Sequence, residues 1–262
     1  MARGTSRASS EFSELNYQKN NLRYYEEKLV ADEDEINASK YRNPERKESA
    51  LRAMRGLISG QDPEPISRLK NFFSAVFAYQ GDKHFTDDKD YKSRRQDIAQ
   101  AFEKLPDGLK QQFKVSNEIM EVLVRGGDKV NGVKKYASPG PDGTVNASFT
   151  TDIDWAMLFA KHSKARPKPE GAVPEVFRKR DVESFKDVID LRRVGDFRRS
   201  FHELANINLK IAVEEAKKDR SKDKQVAFLR ETLIALDDSG GDWFGASEQN
   251  EYFVTDIKWK KA

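Results

Sequence analysis

The chain has 262 residues, of which 35% are charged and 37% hydrophobic, so it can bury a core, while its formal net charge of +3 identifies no partner by itself. The absence of cysteine excludes disulfides, zinc–thiolate sites and thiol nucleophiles, and it predicts a protein of the reducing cytoplasm. We expect no membrane association and no cleavable signal peptide, because no apolar run reaches membrane-spanning length and the first residues lack the apolar centre of a secretory signal.

The N-terminal part of the chain is predicted to be helical. Residues 1–60 form a charged helical extension, whose apolar stripe at seven-residue spacing favours packing on the rest of the protein: Leu15, Leu22, Leu29 and Ile36. The proline-containing segment 62–65 ends this extension, and the apolar helix that follows over 66–79 is interpreted as core. A polar loop, a further helix and a turn are predicted over 80–92, 93–105 and 106–108.

The character of the chain changes at 119–127, which is predicted to be a strand that ends in Arg125. Gly126 and Gly127 follow this arginine. Glycines allow the backbone to approach a ligand closely, and a guanidinium forms strong hydrogen bonds to phosphate or ribose oxygens. The pattern therefore favours a phosphate or ribose contact at Arg125, with an ordinary edge arginine before a turn as the alternative.

A second short strand, 145–150, leads into an amphipathic helix over 153–162. Ser148 and Thr150 lie two residues apart in this strand and so share one of its faces. The pair Thr151–Asp152 is predicted to cap the helix. The strand therefore presents two hydroxyl groups on the same side, just before a helix begins.

The third stretch lies near the C-terminus, where Gln249 and Glu251 lead into an apolar, aromatic strand. Side chains two residues apart point to the same face, which here presents an amide that can read a target and an acid that can stabilise positive charge. Gln-x-Glu also occurs by chance on solvated strand edges, and that is the alternative.

In this order the three stretches resemble the mono-ADP-ribosyltransferase family, in its arginine–serine–glutamate branch, which includes cholera-like and Rho-modifying bacterial toxins. The family's aliphatic-Arg-Gly strand, its Ser-Thr-Ser strand and its Glu/Gln-x-Glu strand correspond here to Val124-Arg125-Gly126, Ser148-Phe149-Thr150 and Gln249-Asn250-Glu251. Ala156 and Phe159 occupy the positions at which the family pattern has Ala and Phe in the following helix.

Two departures accompany the resemblance. Phe149 replaces the middle Thr of the Ser-Thr-Ser motif, but alternation along a strand turns position 149 away from the site face. The interval between Ser148 and Glu251 is longer than the family usually shows, which implies a basic helical insertion at about 166–240. Glu248 is the nearest rival for the role of Glu251, which we prefer because only Glu251 begins the apolar strand.

The resemblance implies an α+β fold of the ADP-ribosyltransferase type, with two small sheets that form an NAD cleft in a catalytic domain over 61–262. NAD is the implied co-substrate, contacted by Arg125 and Gly126, and no metal is needed. Ser148, supported by Thr150, is expected to hold Glu251.

Glu251 is expected to bind a ribose hydroxyl and stabilise positive charge as nicotinamide leaves. Gln249 would meet the incoming nucleophile. In the family, a glutamine at this position accompanies amide side chains or nucleobases as acceptors. Trp243 and Phe244 are expected to form an aromatic wall for the target, with core packing as an equal alternative.

The expected partners are a macromolecular acceptor, either protein or RNA/DNA, and a neutralising antitoxin or immunity protein of the kind that a bacterial or phage toxin or effector requires. Residues 161–230 contain 19 Lys/Arg and 12 Asp/Glu, so this stretch can track a phosphate backbone or can form a solvated helix face. The alternative function is a non-catalytic helical module that binds nucleic acid or protein.

Overall fold

The computed structural model describes residues 14–24, 26, 46–81, 88–130, 133–135, 143–162, 173–240 and 251–260. This part of the chain is an α+β protein that divides into two compact units. The first unit contains the described part of Met1–Lys70 together with Asp196–Ser239, and the second contains the described part of Asn71–Gly195 and Gly240–Ala262. The predicted boundary near residue 60 and the predicted insertion therefore differ from the compact units, because the N-terminal helices group with 196–239.

The described residues contain eight α-helices, which are distributed over both units. In chain order they are α1 (14–24), α2 (Arg46–Gly60), α3 (Pro63–Gly81), α4 (Asp88–Glu103), α5 (Asp107–Phe113), α6 (Ile153–His162), α7 (Leu191–Ala216) and α8 (Asp223–Asp237). Of the predicted seven-residue stripe, Leu15 and Leu22 are half-buried on α1, and Leu29 and Ile36 lie outside the described residues. No helix in the described ranges has the length and apolar character needed to cross a membrane.

The strands all belong to the second unit. They are β1 (Val124–Val130), β2 (Val133–Lys135), β3 (Val145–Thr150), β4 (Val173–Arg178), β5 (Val182–Ser184), β6 (Val188–Asp190) and β7 (Glu251–Trp259). Every pairing is antiparallel, and β7 pairs with β3, β5 and β6.

The seven described strands form one curled sheet rather than the two separate small sheets that were expected. The order is β2-β1-β3-β7-β5, while β4 adds to β1 and β6 adds to β7. Val124 of β1 pairs with Thr150 of β3, and this pair joins β1, β2 and β4 to the strands β3, β5, β6 and β7. Residues 173–190, which were predicted to lie in a helical insertion, supply three of these strands, and only the part from Leu191 to Asp237 is mainly helical.

The strand predicted over 119–127 begins later than expected. Residues Asn117–Glu121 form a 3₁₀ helix, and the Ser116 hydroxyl accepts the N–H of Glu118 at its start. Ile119 and Met120 are buried in this turn, so their apolar character reflects the core rather than a strand. Arg125 therefore lies near the start of β1 and does not close it.

The helix predicted over 66–79 is longer than expected at both ends. It begins at Pro63, where a proline is favoured in the first turn and the Asp62 carboxylate accepts the N–H of Glu64 at 3.0 Å. It continues to Gly81, so Gln80 belongs to its last turn rather than to a loop. The predicted turn at 106–108 likewise opens a short helix, α5.

The core role predicted for this helix is confirmed. The ring centroid of Phe72 lies 5.8 Å from that of Phe102 and 5.3 Å from that of Phe113, and all three side chains are fully buried. At the end of the same helix, the ring of Tyr79 meets that of Phe253 on β7 edge-to-face at 5.9 Å. This packing fixes the last turn of α3 against the strand that begins with Glu251.

Candidate active site

The register of β3 and β7 brings together the predicted serine, threonine and glutamate. Thr150 pairs directly with Glu251, and Ser148 pairs with Phe253. Directly paired residues and residues two apart share a face, so Ser148, Thr150 and Glu251 lie on one face. Phe149 points away, as alternation predicts, and stacks on Trp259 with a centroid distance of 6.2 Å.

Arg125 reaches this face from β1. Its Nη1 atom donates a hydrogen bond of 2.6 Å to the backbone carbonyl oxygen of Ser148. This is the single hydrogen bond that the guanidinium makes within the described ranges, and a guanidinium has five N–H donors. The remaining donors are sufficient for an anionic or hydroxylated ligand.

The last turn of α3 supplies two further polar groups. The Tyr79 hydroxyl lies 2.6 Å from the Ser148 hydroxyl, and Nε2 of Gln80 donates to Oε2 of Glu251 at 2.9 Å. We call the five residues Tyr79, Gln80, Arg125, Ser148 and Glu251 the Glu251 cluster. All five belong to the second compact unit.

Burial dominates the electrostatics of the cluster. Desolvation raises the pKa of the Glu251 carboxyl above its ordinary value, and the opposing effects are smaller. Hydrogen bonds from Ser148, Gln80 and Tyr79, together with the charge of Arg125, lower this pKa in part. The carboxyl group of Glu251, a half-buried residue, is therefore partly desolvated and held by directed donors, and in its ionised form it can meet developing positive charge.

Gly126 has a packing role that the sequence did not reveal. A Cβ built at this position would lie 2.0 Å from the carbonyl oxygen of Ala156 and 2.8 Å from the amide nitrogen of Ala160. The absence of a side chain thus allows α6 to lie directly on β1. This contact accounts for the glycine without the ligand contact that the family resemblance implied.

Thr150 and Asp152 connect the site to α6. The Thr150 hydroxyl accepts the N–H of Asp152 at 3.0 Å, and Asp152 Oδ1 accepts the N–H groups of Asp154 and Trp155 at 2.8 and 3.1 Å. Asp152 therefore caps α6, as predicted. The cap fixes where β3 ends, and so where Thr150 lies.

Several predicted residues fall outside the described part of the chain. They are Gln249, Trp243, Phe244 and the rival acid Glu248. Their expected roles toward an acceptor remain predictions. Of the others, Arg125, Ser148, Thr150 and Glu251 lie together on or beside the β3–β7 face.

Sequence reasoning missed Tyr79 and Gln80. The sequence pattern predicts Tyr79 as part of the apolar core and Gln80 as part of a loop. The available signal is a hydroxyl and an amide at the end of a helix whose apolar face is buried, because burial of that face fixes the position of the last turn.

Three arginines of the predicted insertion are engaged in structural contacts. The guanidinium of Arg192 donates two hydrogen bonds of 2.9 Å to the two carboxylate oxygens of Asp190. Nε of Arg193 lies 3.5 Å from Oδ2 of the same carboxylate. Arg198 donates to the Ser239 hydroxyl at 2.9 Å and to the carbonyl of Leu236. These three arginines stabilise their surroundings, and a phosphate-binding role of the basic stretch stays a prediction.

Comparison with protein-family models, curated proteins and solved structures gave no match. The cluster offers a cation, a desolvated carboxylate and directed hydroxyl and amide groups within one unit. Such a set can bind a sugar phosphate and stabilise positive charge at a sugar carbon.

Proposed function

We propose that the unit formed by Asn71–Gly195 and Gly240–Ala262 is an NAD-dependent mono-ADP-ribosyltransferase that modifies a macromolecule, acting as a toxin or effector. The proposal also includes an ADP-ribosyltransferase-like arrangement of the sheet around Glu251. One observation carries it. Arg125, Ser148 and Glu251, predicted from three stretches far apart in sequence, lie in one hydrogen-bonded cluster with a desolvated carboxylate.

The donor set fits the chemistry of NAD. A guanidinium with donors that no described residue occupies suits the diphosphate or ribose oxygens, and Arg125 is held toward the face by the Ser148 carbonyl. A carboxylate that is supported by hydroxyl and amide donors suits a ribose hydroxyl beside the scissile bond. Nothing in this set requires a metal ion.

The reaction breaks the bond between the ribose carbon and the nicotinamide nitrogen, and nicotinamide leaves with the bonding electron pair. Positive charge then develops at the ribose carbon and the ring oxygen. Glu251 would stabilise it, and a fixed carboxylate in a poorly hydrated site does so without reorganising solvent. The acceptor nucleophile forms the new bond to the same carbon and loses its proton.

Each described residue has a distinct part in this scheme. Arg125 binds and orients the substrate, while Ser148 holds Glu251 in place through its hydroxyl and holds Arg125 through its carbonyl. Gln249 and the aromatic pair Trp243 and Phe244 would act on the acceptor. A protein amide side chain and a nucleobase are both compatible with a carboxamide at position 249.

The test uses labelled NAD, cell extract and purified protein, with label followed after separate protease and nuclease treatments. We expect nicotinamide release and label transfer by the wild type, and a loss of at least ~10²-fold in Glu251→Ala. Glu118→Ala is the matched control, because Glu118 is an exposed acid of the same unit. Arg125→Lys should lose much of the rate, since an ammonium cannot replace a planar fork of donors.

The fate of the label also identifies the acceptor. Label that survives protease but not nuclease identifies RNA or DNA, and the opposite pattern identifies a protein side chain. If the wild type neither transfers label nor releases nicotinamide, the proposed function is wrong. The non-catalytic binding module then takes its place.

A further inference from the structure

We propose that Gln80 binds the substrate as well as Glu251, its amide oxygen accepting a hydrogen bond from a hydroxyl of the same ribose that Glu251 engages. This inference rests on the proposed function, and it adds a substrate-contacting residue from α3, outside the three stretches that carry the family resemblance. Tyr79 joins it as a positioning residue.

The nitrogen and the oxygen of the Gln80 amide differ in their hydrogen bonding. Nε2 donates to Oε2 of Glu251 at 2.9 Å, whereas Oε1 is buried and has no hydrogen-bond partner within the described ranges. A buried acceptor without a donor is unfavourable, and such groups are rare in folded proteins. A group left in this state beside a desolvated carboxylate indicates that its donor comes from a ligand.

Geometry limits where that donor can be. The oxygen and nitrogen of an amide share one carbon and lie about 2.2 Å apart, so Oε1 lies within about 5 Å of the Glu251 carboxylate. Two hydroxyls on neighbouring carbons of a ribose can span such a distance. One of them can donate to Glu251 and the other to Gln80.

The last turn of α3 is held firmly enough for this role. Tyr79, the residue before Gln80, is buried, its hydroxyl lies 2.6 Å from the Ser148 hydroxyl, and its ring packs edge-to-face on Phe253. Tyr79 therefore anchors α3 to both strands of the site face. Its effect on the substrate passes through Ser148 and Gln80.

The proposed contact between Gln80 and the ribose is tested with NAD and with an NAD analogue that lacks one hydroxyl of the nicotinamide ribose. Gln80→Met keeps the length of the side chain and removes both hydrogen-bonding ends. We expect it to raise KM for NAD by about 5–10-fold. For the analogue that lacks the partner hydroxyl, we expect a smaller difference in KM between wild type and variant than for NAD, because only the loss of the bond between Gln80 and Glu251 then remains. Gln96→Met is the matched control, because Gln96 is an exposed glutamine of the same unit that bonds Asn146.

The effect of Gln80 on Glu251 is measured in the protein without substrate. The carboxyl pKa of Glu251 is measured by ¹³C NMR, and the signal is assigned from its absence in Glu251→Gln. Gln80→Met should raise this pKa, because a hydrogen bond to the ionised form is lost, and Gln96→Met should leave it unchanged. Gln80→Asn, which keeps the amide but withdraws it by one carbon, should have the same effect and replaces Gln80→Met if that variant does not fold.

The outcomes separate this inference from the proposed function. An unchanged Glu251 pKa in Gln80→Met and Gln80→Asn overturns the positioning role. Equal fold-losses with NAD and with every dehydroxylated analogue overturn the ribose contact. If the wild type does not cleave NAD but the pKa responds as expected, the proposed function and the ribose contact fail together, and the positioning role of Gln80 stands.

Discussion

Replacing Gly126 by alanine tests how closely helix α6 lies on strand β1. The added Cβ would sit 2.0 Å from the carbonyl oxygen of Ala156, whereas an ordinary contact at this position begins near 3.4 Å. The obstructing atoms are backbone, so no side chain can turn aside. Either α6 must move outward by more than an ångström or β1 must bend, and the strand that bends carries Arg125 next to the substitution.

The expected loss of stability follows from that displacement. Overpacking of a well-packed site costs about 1–3 kcal/mol, and we expect the upper part of this range because the clash is between two backbones. Because the chain contains two compact units, the measurement must report on the second one alone. Hydrogen exchange of peptides covering 124–130 and 153–162 gives the local free energy of opening.

Gly108→Ala is the matched control for this measurement. Gly108 lies in α5 of the same unit, and nothing lies within 4 Å of a Cβ built there. The control should be neutral or gain up to about 1 kcal/mol from the better helix propensity of alanine. If Gly126→Ala exchanges as slowly as the wild type and only loses nicotinamide release, the packing role is refuted and direct ligand contact is supported.

Three further substitutions probe the site and its supports. Burial raises the folded pKa of Glu251 above the unfolded value, so the folded state holds a proton that the unfolded chain releases, and stability falls as the pH rises from about 4.5 through the folded pKa. In urea titrations Glu251→Gln should therefore be more stable than the wild type at pH 7 and equal to it below about pH 4; a difference that is the same at both pH values contradicts this. Asp190→Ala removes a fully buried carboxylate from between Arg192 and Arg193 and should cost about 3–5 kcal/mol in urea unfolding, while a loss below ~1 kcal/mol would show that the arginines are solvated without it. Asp152→Ala should cost about 0.5–2 kcal/mol through the lost cap of α6, with Asp152→Asn close to the wild type; equal losses in both variants would count against the capping role.

Parts of the fold were predictable because they depend on local pattern. The helix over Ile153–His162 and its cap at Asp152 follow from the 3.6-residue periodicity and a capping side chain, and the structure has them where they were predicted. The buried phenylalanines of α3 follow from the same periodicity. The strands β5 and β6 were missed, because three-residue strands have no measurable period and exist only through their partners.

The site shows the same division. Ser148 and Thr150 were placed on one face by alternation alone, and Phe149 was correctly turned away from it. Tyr79 and Gln80 were not found, since their position depends on how far α3 extends and on the packing of its end against Phe253. Sequence spacing cannot report a contact between residues that lie 171 positions apart, as Gln80 and Glu251 do.

The sequence by itself determined which residue types and local elements are available: an arginine before two glycines, a strand with paired hydroxyls, a capped helix and an acid at the head of an apolar strand. It determined these because backbone periodicity and capping act over a few residues. Only the tertiary structure decided that Val124 pairs with Thr150, that α6 lies on Gly126 and that α3 ends beside Glu251. Those contacts join distant segments, and the desolvation that raises the pKa of Glu251 is likewise a property of the fold and not of any local stretch.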